Sequence, residues 1–265
     1  MPHHHHLTDW LDHLRRAGRS ATTIETYRIT LQRAAAQLPY GLLATTDELA
    51  TWIARVPGRN TRASYAVALR GFYRWCVRTG RITADPTAEL AAATHQRGLP
   101  RPVQHDELAM LLTRARDPYR LWCLLAAYAG LRCCEIARLD RCDVTEQAVT
   151  VLRGKGDRPR VVPTHPQLWA ALVGHPAGPV AGGRSARRVS TGIARECDRV
   201  GLPAVTAHRL RHWAGTWWQA ATGDVRVTQE LLGHASPTTT AIYTAVSDQS
   251  RKRAVLALPA LTAAR

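Results

Sequence analysis

Phenylalanine, methionine and lysine are scarce in this chain: one, two and two among 265 residues. Acidic residues are outnumbered too, 20 Asp and Glu against 36 Lys and Arg, which sets the formal charge at +16. No cluster of carboxylates stands in the sequence to hold a divalent cation, so the chemistry expected of it is free of metals and of other cofactors. No run approaches the roughly 20 apolar residues of a transmembrane helix and no signal-peptide pattern opens the chain. That argues against a membrane-spanning or secreted product and for a cytoplasmic one. The six cysteines (Cys76, Cys123, Cys133, Cys134, Cys142, Cys197) have no paired C-x-x-C spacing, so neither a zinc site nor a disulfide framework is expected, and all six read as buried thiols.

Arginine is abundant. Of the 36 basic residues 34 are Arg, and the excess is spread along the chain, with 12 Arg against 7 acidic residues in positions 1 to 93 and 24 basic against 13 acidic beyond. Such a balance points to a polyanionic partner, nucleic acid first, since cations that neutralise phosphates release condensed counterions. Against this background a lysine marks a place where guanidinium chemistry fails, because ammonium can release a proton and guanidinium does not. Lys155 is that candidate; Lys252, between Arg251 and Arg253, reads as surface charge. His3 to His6 resemble a purification tag and are set aside.

Periodicity predicts a mainly α protein with one small β-hairpin, organised as a helical unit over 1–95, a linker over 96–103 and an α+β unit over 104–265. In the first unit, Ser20 precedes a run with Ile24, Tyr27 and Leu31 at helical spacing, and Thr45-Thr46-Asp47-Glu48 has capping-box form. Asn60 is the expected cap of a third helix that Gly80 stops, and Asp85-Pro86 closes the unit. Gly98, Pro100 and Pro102 mark the linker. In the second unit, helices at about 105–116 and 119–130 lead to Gly130-Leu131-Arg132, and another begins near Cys134. Val149 to Leu152 and Arg160 to Pro163 form the hairpin with Lys155 at its tip. Helices then start at Thr206 and at Ser236-Pro237, with Gly223 and Gly233 as stops.

His208 and Arg211, three apart, share one helix face. By itself H-x-x-R is common. Its company is not: Arg132-x-x-Glu135 upstream, then Lys155, His208 and Arg211, then Leu231-Leu232-Gly233-His234 and Tyr243 nine residues later. Together these supply two planar cations for phosphate oxygens, groups able to move protons, and a nucleophile. The remaining tyrosines (Tyr27, Tyr65, Tyr73 and Tyr128 among them) and Trp213, Trp217 and Trp218 read as packing residues. Arg62, Arg70 and Arg74 on the third helix, and the cluster Arg184, Arg187 and Arg188, are expected DNA contacts.

This order of motifs resembles the tyrosine recombinase family, the phage integrases and chromosome-dimer resolvases, over nearly the whole chain. The resemblance implies a SAM-like helical core-binding domain followed by a catalytic domain, the two clamping duplex DNA from opposite sides. It assigns Arg132 and Arg211 as phosphate-clamping arginines, Lys155 as the hairpin lysine and leaving-group acid, His208 and His234 as active-site histidines, Glu135 as the brace of Arg132, and Tyr243 as the nucleophile. Two thiols at Cys133-Cys134 depart from the small or polar residues usual there, and His212 could exchange roles with His208 only from another side of the helix. The implied partners are DNA attachment sites, further copies of the chain in a tetramer, and a directionality factor. The tetramer would be joined through the apolar tail from Ala254 to Leu261 packing in trans on a neighbouring protomer. Since the core-binding pattern begins near Leu7, a short integrase without an arm-binding domain is expected, acting at simple core-type sites. The rival readings are a type IB topoisomerase and a non-catalytic DNA-binding regulator.

Overall fold

A computed structural model describes residues 3–91, 102–152, 159–233 and 248–259. The chain divides into two compact units, Met1–Gly98 and Leu99–Arg265, each with its own hydrophobic core.

The first unit packs α1 (His3–Arg16), α2 (Ala21–Gln37), α3 (Thr46–Ala54) and α4 (Arg59–Arg78). Ser20 caps α2 by accepting from Thr23 N at 3.2 Å. Thr45 and Glu48 close the reciprocal capping box of α3, with Thr45 N donating to Glu48 Oε2 at 2.8 Å. The third expected cap differs: α4 starts after Gly58, not at Asn60. Gly58 takes φ 85°, a turn that lets the chain enter the helix at Arg59 and leaves Asn60 inside the first turn. Aromatic rings fill the core, Trp10 stacked on Tyr27 at 5.5 Å and Trp52 on Tyr65 at 5.4 Å, so these tyrosines pack as expected.

In the second unit α5 (His105–Arg114) precedes α6 (Tyr119–Tyr128), which is buried at every position from Leu121 to Tyr128. A helix apolar on all faces must be surrounded, and α6 runs between α8 (Pro166–Leu172), α9 (Ala186–Arg199) and α10 (Ala207–Thr222). The short α7 (Cys133–Ile136) follows it. An antiparallel hairpin of β1 (Ala148–Val151) and β2 (Arg160–Pro163) pairs Ala148 with Pro163 and Val151 with Arg160. Trp213 and Trp218 are buried and Trp217 packs beside them. Of the cysteines, Cys76, Cys123 and Cys197 are buried and Cys133 and Cys134 half-buried. Cys142 is exposed, contrary to expectation. It sits in a surface 3-10 turn held by Asp140, whose Oδ1 accepts from Cys142 N at 3.1 Å.

After α11 (Val225–Leu232), α12 (Asp248–Leu256) returns onto α10, α11 and β2. Its Ala254 and Val255, with Leu258 beyond, are buried in the core of their own unit. His165 Nδ1 accepts from Gln167 N at 3.2 Å, which fixes the proton on Nε2 for donation to Leu258 O at 2.9 Å. Tyr128 Oη donates to Pro259 O at 2.8 Å. In the single chain the tail, as far as Pro259, packs on its own domain, where apolar side chains and free carbonyls both find partners. Among the described residues no helix is long and apolar enough to cross a membrane.

Gly130 ends α6 with φ 61°, and a Cβ there would stand 2.7 Å from the Trp218 ring. Gly130→Ala is therefore expected to destabilise the protein by about 2–5 kcal/mol, from left-handed backbone strain plus overpacking, read as a lowered urea midpoint. A change below about 0.5 kcal/mol would mean that the turn carries no constraint.

Candidate active site

The turn at Gly130 delivers Arg132 to the N-cap of α7, and Glu135 three residues on folds back to accept Arg132 N at 2.8 Å. Glu135 thus belongs to a capping box closed by a carboxylate, which fixes its orientation from within its own short helix. Its side chain is fully buried. Three guanidinium groups converge on it. Arg132 Nη1 donates to Oε1 at 2.8 Å. From β2, Arg160 donates through Nη1 to Oε1 at 2.9 Å and through Nη2 to Oε2 at 2.7 Å. From α10, Arg211 Nη1 stands 3.8 Å from Oε2 while donating to Gly130 O.

The same arginines cap the end of α11. Arg160 Nε donates to Leu231 O at 2.9 Å, Arg211 Nη2 to Leu232 O at 2.5 Å and Arg132 Nη2 to Gly233 O at 3.3 Å. Those carbonyls have no acceptor role left inside the helix and form the negative end of its dipole, so cations are favoured there. Gly233 caps the helix in the left-handed region at φ 61°.

Three cations share one carboxylate, leaving two positive charges in surplus: a site built to take an anion. Burial pushes the Arg211 guanidinium down to about 9, helped by the charge of Arg132 and opposed by Glu135. It remains charged at neutral pH. A lysine, starting from about 10.4, would lose its proton near neutrality under the same burden, which is a physical reason for arginine here. Burial alone would raise the carboxyl of Glu135, yet the hydrogen bonds and charge of Arg160, with help from Arg132 and Arg211, hold it below the usual carboxylate range.

His208 lies one turn before Arg211 on α10. Burial, then the charges of Arg211 and Arg132, lower its imidazole. His212 is four residues on and therefore on the same face as His208, not on another side of the helix; the two Nε2 atoms are 2.9 Å apart. Burial, then His208 and Arg211, lower His212 as well.

Among the sequence candidates, the fold brings together Arg132, Glu135, His208 and Arg211. Lys155, His234 and Tyr243 lie outside the described residues. Arg184 donates to Ala181 O at 3.2 Å and rests over the Trp122 ring, while Arg187 and Arg188 are exposed in the first turn of α9. In the first unit Arg74 is exposed, Arg62 donates to Val56 O at 3.3 Å, and Arg70 donates to Leu90 O at 2.6 Å and Ala91 O at 2.9 Å. No group of three or more His, Cys, Asp or Glu that could hold a metal ion occurs among the described residues. Arg160 was missed. Strand alternation could have found it: with Val162 inward on β2, Arg160 two residues earlier faces the same way, and an inward arginine requires a carboxylate.

Residues 183–250 match the model of the phage integrase family. The chain is 35% identical over 276 residues to tyrosine recombinase XerC of Rhodospirillum centenum, covering 89% of this chain and 80% of that protein. With XerC of Corynebacterium efficiens it shares 32% identity over 266 residues, 88% of this chain and 83% of the relative. Among solved structures it is similar to the integrase from mycobacterium phage Brujita, at 30% identity and a TM-score of 0.55 over 96% of this chain and 92% of that one. The lambda integrase tetramer bound to a Holliday junction, at 19% identity, TM-score 0.71 and coverage of 90% and 79%, shares the fold.

Because its folded-state carboxyl is held low, Glu135 contributes stability that is present above the unfolded value of about 4.3 and is lost as pH falls through the lower folded value. Glu135→Gln should cost about 3–5 kcal/mol at pH 7 by leaving buried cations uncompensated. In urea melts taken at descending pH, the gap between the two proteins should close below pH ~4. A gap unchanged down to pH ~2 would mean that Glu135 is not the counter-ion.

Proposed function

The chain belongs to the tyrosine recombinase (phage integrase) family and is a site-specific DNA recombinase, and from that premise we propose that Arg132 and Arg211 clamp the scissile phosphate while Tyr243 attacks it. The observation that carries this reading is the surplus of two positive charges around the buried Glu135, a pre-organised receptor for the extra charge of a pentacoordinate phosphorane. The Tyr243 oxygen bonds to phosphorus, the bond to the 5′ oxygen breaks, and Lys155 gives that oxygen its proton, leaving a 3′-phosphotyrosyl link and a free 5′-hydroxyl. His208 receives the phenolic proton and His234 hydrogen-bonds the phosphate. A phenol with a pKa of about 10 needs such a base at neutral pH, and the depressed imidazole of His208 is neutral there. Attack by the 5′-hydroxyl of a partner strand reverses the step. One phosphoester is exchanged for another at each step, so the bond energy is kept in the phosphotyrosyl link and no ATP is needed.

By likeness to the lambda integrase tetramer on a Holliday junction, the working assembly is a tetramer on paired attachment sites in the cytoplasm, with a directionality factor as an additional partner. Arg62, Arg70, Arg74, Arg184, Arg187 and Arg188 supply phosphate neutralisation along the duplex.

Tyr243→Phe should bind attachment-site DNA with unchanged affinity and form no covalent adduct on a nicked suicide substrate. A protease-sensitive shifted band from that variant would refute the assignment. Lys155→Ala should cleave ordinary DNA on the order of 100-fold more slowly, with the rate restored by a 5′-bridging phosphorothiolate, whose sulfur leaves unprotonated. Failure of that rescue would remove Lys155 as the acid.

With His208 depressed, wild-type cleavage should hold as pH drops from 8 to 7 and decline only below the ordinary histidine value of about 6.5. A decline already complete at pH 7 would contradict a neutral His208.

A further inference from the structure

Glu135 offers two carboxylate oxygens to three guanidinium groups, and Arg160 takes both, at 2.9 and 2.7 Å. Arg211 stays at 3.8 Å from Oε2, beyond hydrogen-bond distance, held instead by Gly130 O and Leu232 O. Arg132 reaches Oε1 and is the most exposed of the three, its side chain 22% accessible against 7% for Arg160 and 5% for Arg211. The division of labour is electrostatic. Arg160 bonds both oxygens of the buried carboxylate and Arg132 bonds it from the more exposed side, while Arg211 is kept off it, so two positive charges stay in surplus for an anion arriving from outside.

We infer that Arg160 is a positioning residue for the phosphate chemistry: by saturating Glu135 it keeps Arg211 off the carboxylate and leaves the charge of Arg132 and Arg211 directed at the bound phosphate. A buried carboxylate deprived of its main partner must find another. Beyond Arg132, already bonded at 2.8 Å, the nearest cation is Arg211, about 1 Å short of a hydrogen bond at its present 3.8 Å. Closing that gap would divert to Glu135 the cation that the scissile phosphate requires and would pull Arg211 from the two carbonyls that orient it. Arg160 also fastens β2 to α11 through Leu231 O at 2.9 Å, so the neutralising group is itself fixed from two sides. This inference rests on the reading of Arg132 and Arg211 as the phosphate clamp.

The test compares covalent adduct formation, at saturating full-length protein, on suicide DNA carrying either an ordinary scissile phosphodiester or a methylphosphonate, which lacks the anionic charge. Arg160→Met should slow the phosphodiester reaction by about 100-fold, the scale of losing one transition-state contact, and the methylphosphonate reaction by no more than about fivefold, since a neutral group asks less of the clamp. Affinity for DNA should stay within about threefold. Adding Glu135→Gln to Arg160→Met removes the orphaned charge and should recover at least about tenfold of the phosphodiester rate. Thermal melts establish that each protein is folded at the assay temperature. If Arg160→Met does not fold, Arg160→Lys answers the same question, because an ammonium cannot bridge both oxygens and Leu231 O together. Equal losses on the two substrates, or a double variant no faster than the single, would overturn the inference and reduce Arg160 to a structural residue. If the wild type makes no protease-sensitive adduct, or Arg132→Ala cleaves like the wild type, the clamp reading itself falls and takes the inference with it.

Discussion

A single carboxylate buried beneath three guanidinium groups is the interaction on which the second unit depends. Glu135, Arg132, Arg160 and Arg211 come from α7, β2 and α10, segments as far apart as 79 residues in the chain, 132 to 211. An ion that deep costs several kcal/mol to desolvate unless partners surround it, and three like charges would repel without it. Each element is therefore placed by the others: the carboxylate permits the cations to approach, and the cations permit the carboxylate to be buried. The charge left over after this mutual compensation is what the proposed phosphate clamp would use.

Main-chain carbonyls extend the same arrangement. Each of the last carbonyls of α11, Leu231, Leu232 and Gly233, accepts from a different arginine of the cluster, and Gly130 O accepts from Arg211. A rigid helix end and a rigid turn thus fix guanidinium planes that would otherwise swing on long side chains, which lowers the reorganisation needed when charge develops on a phosphate. Left-handed glycines at both places make this possible, Gly130 closing α6 against the Trp218 ring and Gly233 ending α11. Packing in the core is in this way transmitted to the geometry of the arginine cluster.

Around this centre the fold shows one economy in its use of the C-terminal segment. α12 lays Ala254, Val255 and Leu258 onto the core formed with α10, α11 and β2, the elements that carry or flank Arg160, His208 and Arg211. Arg251 reaches Glu230 on α11 at 3.5 Å. The segment thus reinforces the platform on which the arginines stand, while His165 and Tyr128 satisfy its last carbonyls from the interior.

Much of this was written in the order of residues. An apolar run marked α6, cap residues Ser20, Thr45 and Thr206 marked helix starts, and Gly223 and Gly233 marked ends, because these signals act within a turn of chain and need no tertiary partner. The order and spacing of Arg132, Glu135, His208 and Arg211 likewise marked them as a set, and the fold brings them together. Asn60 misled because a positive-φ glycine at Gly58 competed with it as the start of α4, and Cys142 because burial depends on what packs above a turn. Arg160 remained hidden for a deeper reason: nothing near it in sequence explains a buried arginine, and its carboxylate lies 25 residues away in the chain. The docking of the tail belongs to the same class, since an apolar run states that a surface must be covered without stating by what. Local sequence determined the elements and the chemical alphabet; only the tertiary structure decided which charges compensate one another, because Coulomb energy and desolvation depend on distances through space rather than along the chain.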